Sequence, residues 1–185
     1  YDPEGAKKLL EESGWKDTDG DGYADKDGQK LTIDWLTYPT RLEQPKLAEY
    51  AQATLKEIGI DVVVNNTSDH MTYAADGNFD VYVSSTTTAP TGDPEYFFTS
   101  TVVGPKNYGK YENKEVTALT EKLHQAFEPE ERAKLATELQ QKILDDDGFF
   151  FVSHLNMGIV TKSNVKGMAA HPCDYYEITA DLDVE

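Results

Sequence analysis

Two apolar runs, KLTIDWLTY at 30–38 and IDVVVNN at 60–66, stand on either side of a helix-spaced stretch, PKLAEYAQATLKEIG at 45–59. In the first run Leu31, Ile33 and Trp35 alternate with Thr32 and Asp34, which is the period of a strand. In the middle stretch Leu47, Ala51, Leu55 and Ile58 share one helical stripe, and Gly59 stops it. A strand reached through a helix crossover lies parallel to the one that fed it, so this order predicts a βαβ unit. NFDVYVSS, with Phe79, Val81 and Val83 on one face, predicts a third strand. Ahead of the unit, YDPEGAKKLLEESGW reads as a short helix with Asp2 as N-cap, Pro3 at its first position and Gly14 as its stop.

The second half has a different grain. From Thr86 to Tyr111, Pro90, Pro94 and Pro105 interrupt any period, which predicts a long loop region of the kind that carries function. NKEVTALTEKLHQAF then places Val116, Leu119, Leu123 and Phe127 on one stripe. PEERAKLATELQQKILDDDG follows, with Ala136, Leu139 and Ile143 inward, so the two helices are expected to pack as a hairpin. In FFFVSHLNMGIV, Phe149, Phe151, Leu155, Met157 and Ile159 alternate with His154 and Asn156, the pattern of a buried or groove-lining strand.

Charge and cysteine content close off several functions. Thirty-four acidic residues against 17 basic ones give a net charge of -17, which repels nucleic-acid phosphate and anionic membranes. Cys173 is the single cysteine, so neither an internal disulfide nor a cysteine zinc cluster can form. No Ser/His/Asp order or Gly-rich phosphate loop is present, and the chain reads as a binder rather than an enzyme.

One stretch resembles a cation loop. In KDTDGDGYADKDG, Asp17, Asp19 and Asp21 fall at the first three ligand positions of an EF-hand loop. Gly22 is its turn glycine, Tyr23 can offer a carbonyl, and Asp25 falls at the ninth position. The bidentate Glu at the end is replaced by Gly28, and a strand follows instead of a helix. Both a bound structural Ca2+ and a solvated turn fit this pattern. His70 and His124 read as solvated, and Tyr108 as a candidate cleft aromatic.

YDPEGAKKLLEESGW, the Asp/Gly run, the βαβ unit, GDPEYFF, NYGKYENKEVTALTEKL and EPEERAKLATELQQKILDDDGFFFVSHLN occur in the order seen in family 5 extracellular solute-binding proteins, the nickel and peptide receptors of bacterial ABC importers. The resemblance implies an α/β fold, a single lobe of a type II (two-lobed) periplasmic-binding-protein-like architecture with a mixed sheet flanked by helices. Residues 1–165 would form the C-terminal lobe, and 166–185 a tail returning toward a first lobe. It further implies a monomeric, exported receptor at the extracellular face or in the periplasm, lipid-anchored and served by membrane permease subunits. No cofactor is expected.

Peptide-binding members place an Asp near the loop after the third strand. Aligning on Gly92, Asp93 and Pro94 puts Pro90 at that place, with Asp93 as its substitute. APTGDP is similar to the Ala-Pro-x-Asp-Pro stretch of nickel-type members, and HPCDYYEIT to their C-terminal part, which favours nickel or a nickel chelate as the transported ligand. Some nickel-type members also carry a His after this loop, roughly where Asn107 stands here. The expected ligand-binding residues are therefore Pro90, Thr91, Asp93, Asn107, Tyr108, His154 and Asn156, with His154 and His171 as the candidate nickel ligands. An oligopeptide receptor and a calcium-binding structural module remain the alternatives.

Overall fold

The structure, a computed structural model, describes every residue except 87, 88, 90, 157 and 171–177. It divides into two compact units, Tyr1–Ser85 and Thr86–Glu185.

The first unit begins with helix α1, Pro3–Glu12, where Asp2 accepts a 2.8 Å bond from the amide of Gly5. An N-cap acceptor and a proline at the first position start the helix, and Gly14, at φ 89°, follows its end. Strands β1 (Asp25–Lys26) and β2 (Gln29–Lys30) form a small antiparallel hairpin. Asp27 and Gly28 between them both take positive φ, the requirement of a tight type I′ turn, so the end of the expected cation loop is a hairpin instead.

Strand β3 (Thr32–Thr37), helix α2 (Glu43–Lys56) and strand β4 (Asp61–Asn66) form the expected parallel unit, in a register that runs from Thr32 opposite Asp61 to Thr37 opposite Asn66. Helix α3 (His70–Asp76) then carries the chain to strand β5 (Val81–Tyr82), which pairs in parallel with the other edge of β3. The order is β4-β3-β5, so the sheet reverses its direction of growth at β3. β5 is shorter than NFDVYVSS predicts, although Val83 after it still donates to Leu36 at 3.1 Å and the residue ahead of it, Asp80, bonds β3 twice. Its carboxylate accepts from the amide of Asp34 at 2.8 Å, and its own amide donates back to the Asp34 carbonyl at 2.9 Å. On one sheet face Trp35, Ala48, Ile60 and Val62 form a buried cluster flanked by Leu10 and Leu55. On the other, the ring of His70 meets Tyr38 edge-on at 4.1 Å. Helices therefore cover both faces, which explains why Trp35, Leu36 and Thr37 of β3, and Tyr38 after it, are buried in succession instead of alternating.

In the second unit, helices α4 (Glu95–Phe97), α5 (Lys114–Gln125) and α6 (Pro129–Asp145) surround a cluster that includes Phe98, Val116, Leu123, Leu139 and Ile143. A π-helical turn, Phe98–Val102, continues α4. Thus the region expected to be loop contains helix, and Phe98 and Val102, at 1% and 0% exposure, are among its best-buried residues. The predicted hairpin of α5 and α6 forms, with Asn113 capping α5 through bonds from Glu115 and Val116. Phe127, expected inward, is 86% exposed, because α5 ends at Gln125 and the backbone turns extended at Ala126. The strand expected from FFFVSHLNMGIV is not formed among the described residues. Alternation supplies a face but not a neighbouring ladder, and this segment has none. Near the end, β6 (Val165–Lys166) pairs antiparallel with β7 (Asp183–Val184).

Candidate functional site

The segment between β5 and α5 is organised around one guanidinium. Asp93 accepts a 2.8 Å bond from the amide of Glu95, an Asx turn that starts α4 immediately after Pro94. Arg132, in the first turn of α6, reaches both oxygens of Asp93 through Nη2 at 2.8 and 2.7 Å, and Glu95 Oε2 at 3.0 Å. Its Nη1 donates to the carbonyls of Leu123 and Ala126 at 2.8 and 2.7 Å at the end of α5, where Leu123 also accepts a 3.3 Å bond from the Ala126 amide. Glu95 Oε1 in turn lies 2.6 Å from His124 Nδ1. The backbone bond from Glu95, opposed by partial burial and aided by Arg132, holds the Asp93 carboxyl below its ordinary range. Burial pushes the Glu95 carboxyl up, and the bonds from His124 and Arg132 outweigh it.

Asn107 is equally committed. Its amide donates to the Tyr111 carbonyl at 2.8 Å and accepts from the Tyr111 amide at 2.9 Å, closing a loop of the chain on itself. Tyr111 donates to Asp146 at 2.7 Å, as does Asn113 at 2.6 Å. Burial and the Asp146 carboxylate push the Tyr111 hydroxyl up to about 12. Bonds from Asn113 and Tyr111 lower Asp146. Tyr108 is half-buried and Thr91 exposed. His154 and Asn156 are exposed on the extended segment. Pro90 and His171, with Cys173, lie outside the described residues. Of the expected ligand residues, then, Asp93 and Asn107 come together with the loop's own scaffold, while His154 and Asn156 stand apart from it in sequence and secondary structure.

A second concentration of polar groups was passed over in the sequence. Among the described residues, five buried side-chain atoms have no hydrogen-bond partner: Trp35 Nε1, Thr37 Oγ1, Glu43 Oε1, Gln44 Oε1 and His70 Nδ1. All belong to the carboxyl half of β3, the first turn of α2 or the first residue of α3. His70, expected to be solvated, is instead half-buried against Tyr38. A single histidine at a helix start carries no sequence signal of this.

The aspartate run does converge. Asp17, Asp19 and Asp21 each bring a carboxylate oxygen within 4.8 Å of the others. Asp17 accepts from the amides of Gly20 and Gly22 at 2.7 and 3.0 Å, and Asp21 from that of Tyr23 at 2.9 Å. The Lys30 ammonium sits 2.9 Å from Asp21, lowering that carboxyl together with the Tyr23 amide, and 4.1 Å over the Tyr23 ring. Asp25, expected at the ninth ligand position, turns away to accept from Thr18 at 2.8 and 2.6 Å.

A parallel sheet that switches direction at its central strand, with helices on both faces, describes an α/β binding lobe, since such sheets take ligands beyond their carboxyl ends. Residues 1–109 match the profile of the bacterial extracellular solute-binding proteins, family 5 Middle, and the chain belongs to this family. It is 29% identical over 184 residues to the oligopeptide-binding protein AppA of Bacillus subtilis, covering 96% of this chain and 34% of AppA. The solved structure of AppA in complex with a nonapeptide matches 78% of this chain and 30% of that one at a TM-score of 0.67. Against the nickel-binding periplasmic protein of Escherichia coli the identity is 36% over 102 residues, 54% of this chain and 19% of that protein. NikA from Staphylococcus aureus in complex with Ni(L-His)2 shares the fold over 99% of this chain and 38% of NikA, at a TM-score of 0.74 and 24% identity. The matches span between 19% and 38% of the length of these relatives.

Proposed function

We propose that the chain is part of the substrate-binding component of an ABC importer, which captures its solute without altering it and hands it to permease subunits. The observation that carries this reading is the set of five unpartnered buried polar atoms at the carboxyl end of the sheet, where an open α/β sheet receives a ligand. The relatives are solute-binding proteins, and among the described residues no helix is long and apolar enough to cross a membrane. Export to the extracellular face or periplasm, with a lipid anchor, follows from the same reading.

For the solute we favour nickel held in a small chelate. The Asp93 carboxylate, the substitute anchor for a peptide amine, is engaged by Arg132, and the unpartnered imidazole nitrogen of His70 is chemically suited to a transition-metal complex. The oligopeptide alternative is supported by the similarity to AppA across 96% of the chain. The test is thermal unfolding of the full-length protein with Ni(II) plus L-histidine, and separately with a nonapeptide bearing a free amino terminus. A ligand at a hundred times its Kd adds ~2.7 kcal/mol to the folded state. A shift with the nickel chelate alone supports the first reading and a shift with the peptide alone the second. No shift with either defeats both. As a subordinate proposal, the convergent oxygens of Asp17, Asp19 and Asp21 hold a structural calcium ion at the surface turn.

A further inference from the structure

Arg132 makes five hydrogen bonds from one guanidinium, and they lead to three parts of the second unit. Two go to the carbonyls that end α5, two to Asp93, and one to Glu95 at the start of α4. Its side chain is 17% exposed and that of Glu95 18%, while Asp93 keeps 39%, so the bond to Glu95 is the better shielded from water of the two ion pairs. Immediately ahead of Asp93 the chain turns through Gly92, at φ 74°, whose amide donates to the Ala89 carbonyl at 2.9 Å. The Asx bond from Glu95 to Asp93 fixes the exit of that turn. A planar fork is the cation side chain that can serve two carbonyls and two carboxylates together.

We propose that Arg132 is a positioning residue for the Thr91–Glu95 segment: it sets the place of that segment from the α5–α6 hairpin and neutralises Asp93, so the part of a solute that meets this segment carries no ammonium needing a counter-ion. The inference rests on the importer reading for its second clause and on geometry alone for its first. Lysine at this position would keep the charge but could not reach both carboxylates and both carbonyls.

Amide hydrogen exchange of the full-length protein tests the first clause without any ligand. Arg132→Met should speed exchange of the Glu95–Phe98 amides by about tenfold or more, the scale of a lost charge-assisted bond, while the amides of mid-α6 keep their protection. Arg132→Lys should recover part of the difference. Unchanged exchange at Glu95–Phe98, or an equal rise throughout α5 and α6, overturns the proposal, the second because it would mark a merely structural arginine. The second clause is read from affinity for Ni(II) with L-histidine and for a nonapeptide with or without N-acetylation. Affinity insensitive to Asp93→Asn supports it. An Asp93→Asn variant that loses about tenfold for the free-amine peptide only, with exchange unaltered, overturns it, since Asp93 would then be the counter-ion. Failure of the wild-type protein to bind any of the three probes sinks the importer reading, and the exchange measurement still decides the role of Arg132.

Discussion

Asn113 does two jobs with two different atoms, and substitutions can separate them. Its Oδ1 caps α5, accepting from the amides of Glu115 at 2.8 Å and Val116 at 3.2 Å, while its Nδ2 donates to Asp146 at the end of α6. Asn113→Ala removes both. Loss of a cap of this kind costs ~1 kcal/mol, and the exposed bond to Asp146 adds little. In a unit of about 100 residues that is a fall in Tm of about 4–8 °C. Asn113→Asp preserves the capping oxygen, and an acid at a helix N-terminus is favoured by the helix dipole, so a cap acting alone would leave this variant as stable as the wild type. The structure predicts otherwise. A carboxylate at position 113 would face Asp146 at the 2.6 Å separation now bridged by an N–H donor, turning attraction into repulsion. Asn113→Asp should therefore melt below the wild type at pH 7 and close the gap as the pH falls toward about 4, where one of the two acids takes a proton. Thermal melts by circular dichroism from pH 4 to 8 measure it. A variant at least as stable as wild type at pH 7, with a flat difference across the range, would refute the reasoning.

Four further outcomes are expected. Phe98→Ala empties a site of 1% exposure and should cost ~3–5 kcal/mol in chemical denaturation, against a small effect for Phe127→Ala at 86% exposure. Asp93 and Glu95 titrate below their ordinary values of 3.8 and 4.5 in the folded protein, so their contribution is complete above about pH 4.5 and fades as the pH falls through the lowered values; the acid limb should be shallower in Arg132→Met. Tyr111, raised from 10.0 to about 12, should ionise late in an ultraviolet titration, and because the folded state keeps that proton longer, stability should drop between those two values and Tyr111→Phe should lessen the drop. Calcium should raise the Tm of the wild type and leave Asp19→Ala unmoved; equal responses would show that the aspartate turn holds no ion.

What the sequence could reveal depended on how far each interaction reaches along the chain. The cap of α1, the stripes of α5 and α6 and the β3–α2–β4 unit were readable because their determinants lie within a few residues of one another. The α4 turn was hidden by Pro94 and by TSTVV, whose β-branched residues favour extended backbone; only tertiary burial of Phe98 and Val102 makes it helical. FFFVSHLNMGIV failed in the opposite sense: among the described residues it joins no ladder, and Phe151 and Leu155, expected on its inner face, are each 49% exposed. Asp93 was singled out as a ligand group, but its partner is Arg132, 39 positions away, and no local pattern announces such a pair. His70 was dismissed because its burial comes from Tyr38, a strand away.

The placement of β3 at the centre of its sheet has a consequence during synthesis. The strand leaves the ribosome with its first neighbour, β4, close behind, but its other edge waits for β5, held through the Asp34–Asp80 bonds across 46 positions. Until that stretch emerges, the Trp35–Leu36 backbone is an open parallel edge beside apolar side chains, the kind of surface that recruits strands from other chains. Nascent chains stalled before Asp80 should therefore engage chaperones or aggregate, and chains stalled well past Val83 should not.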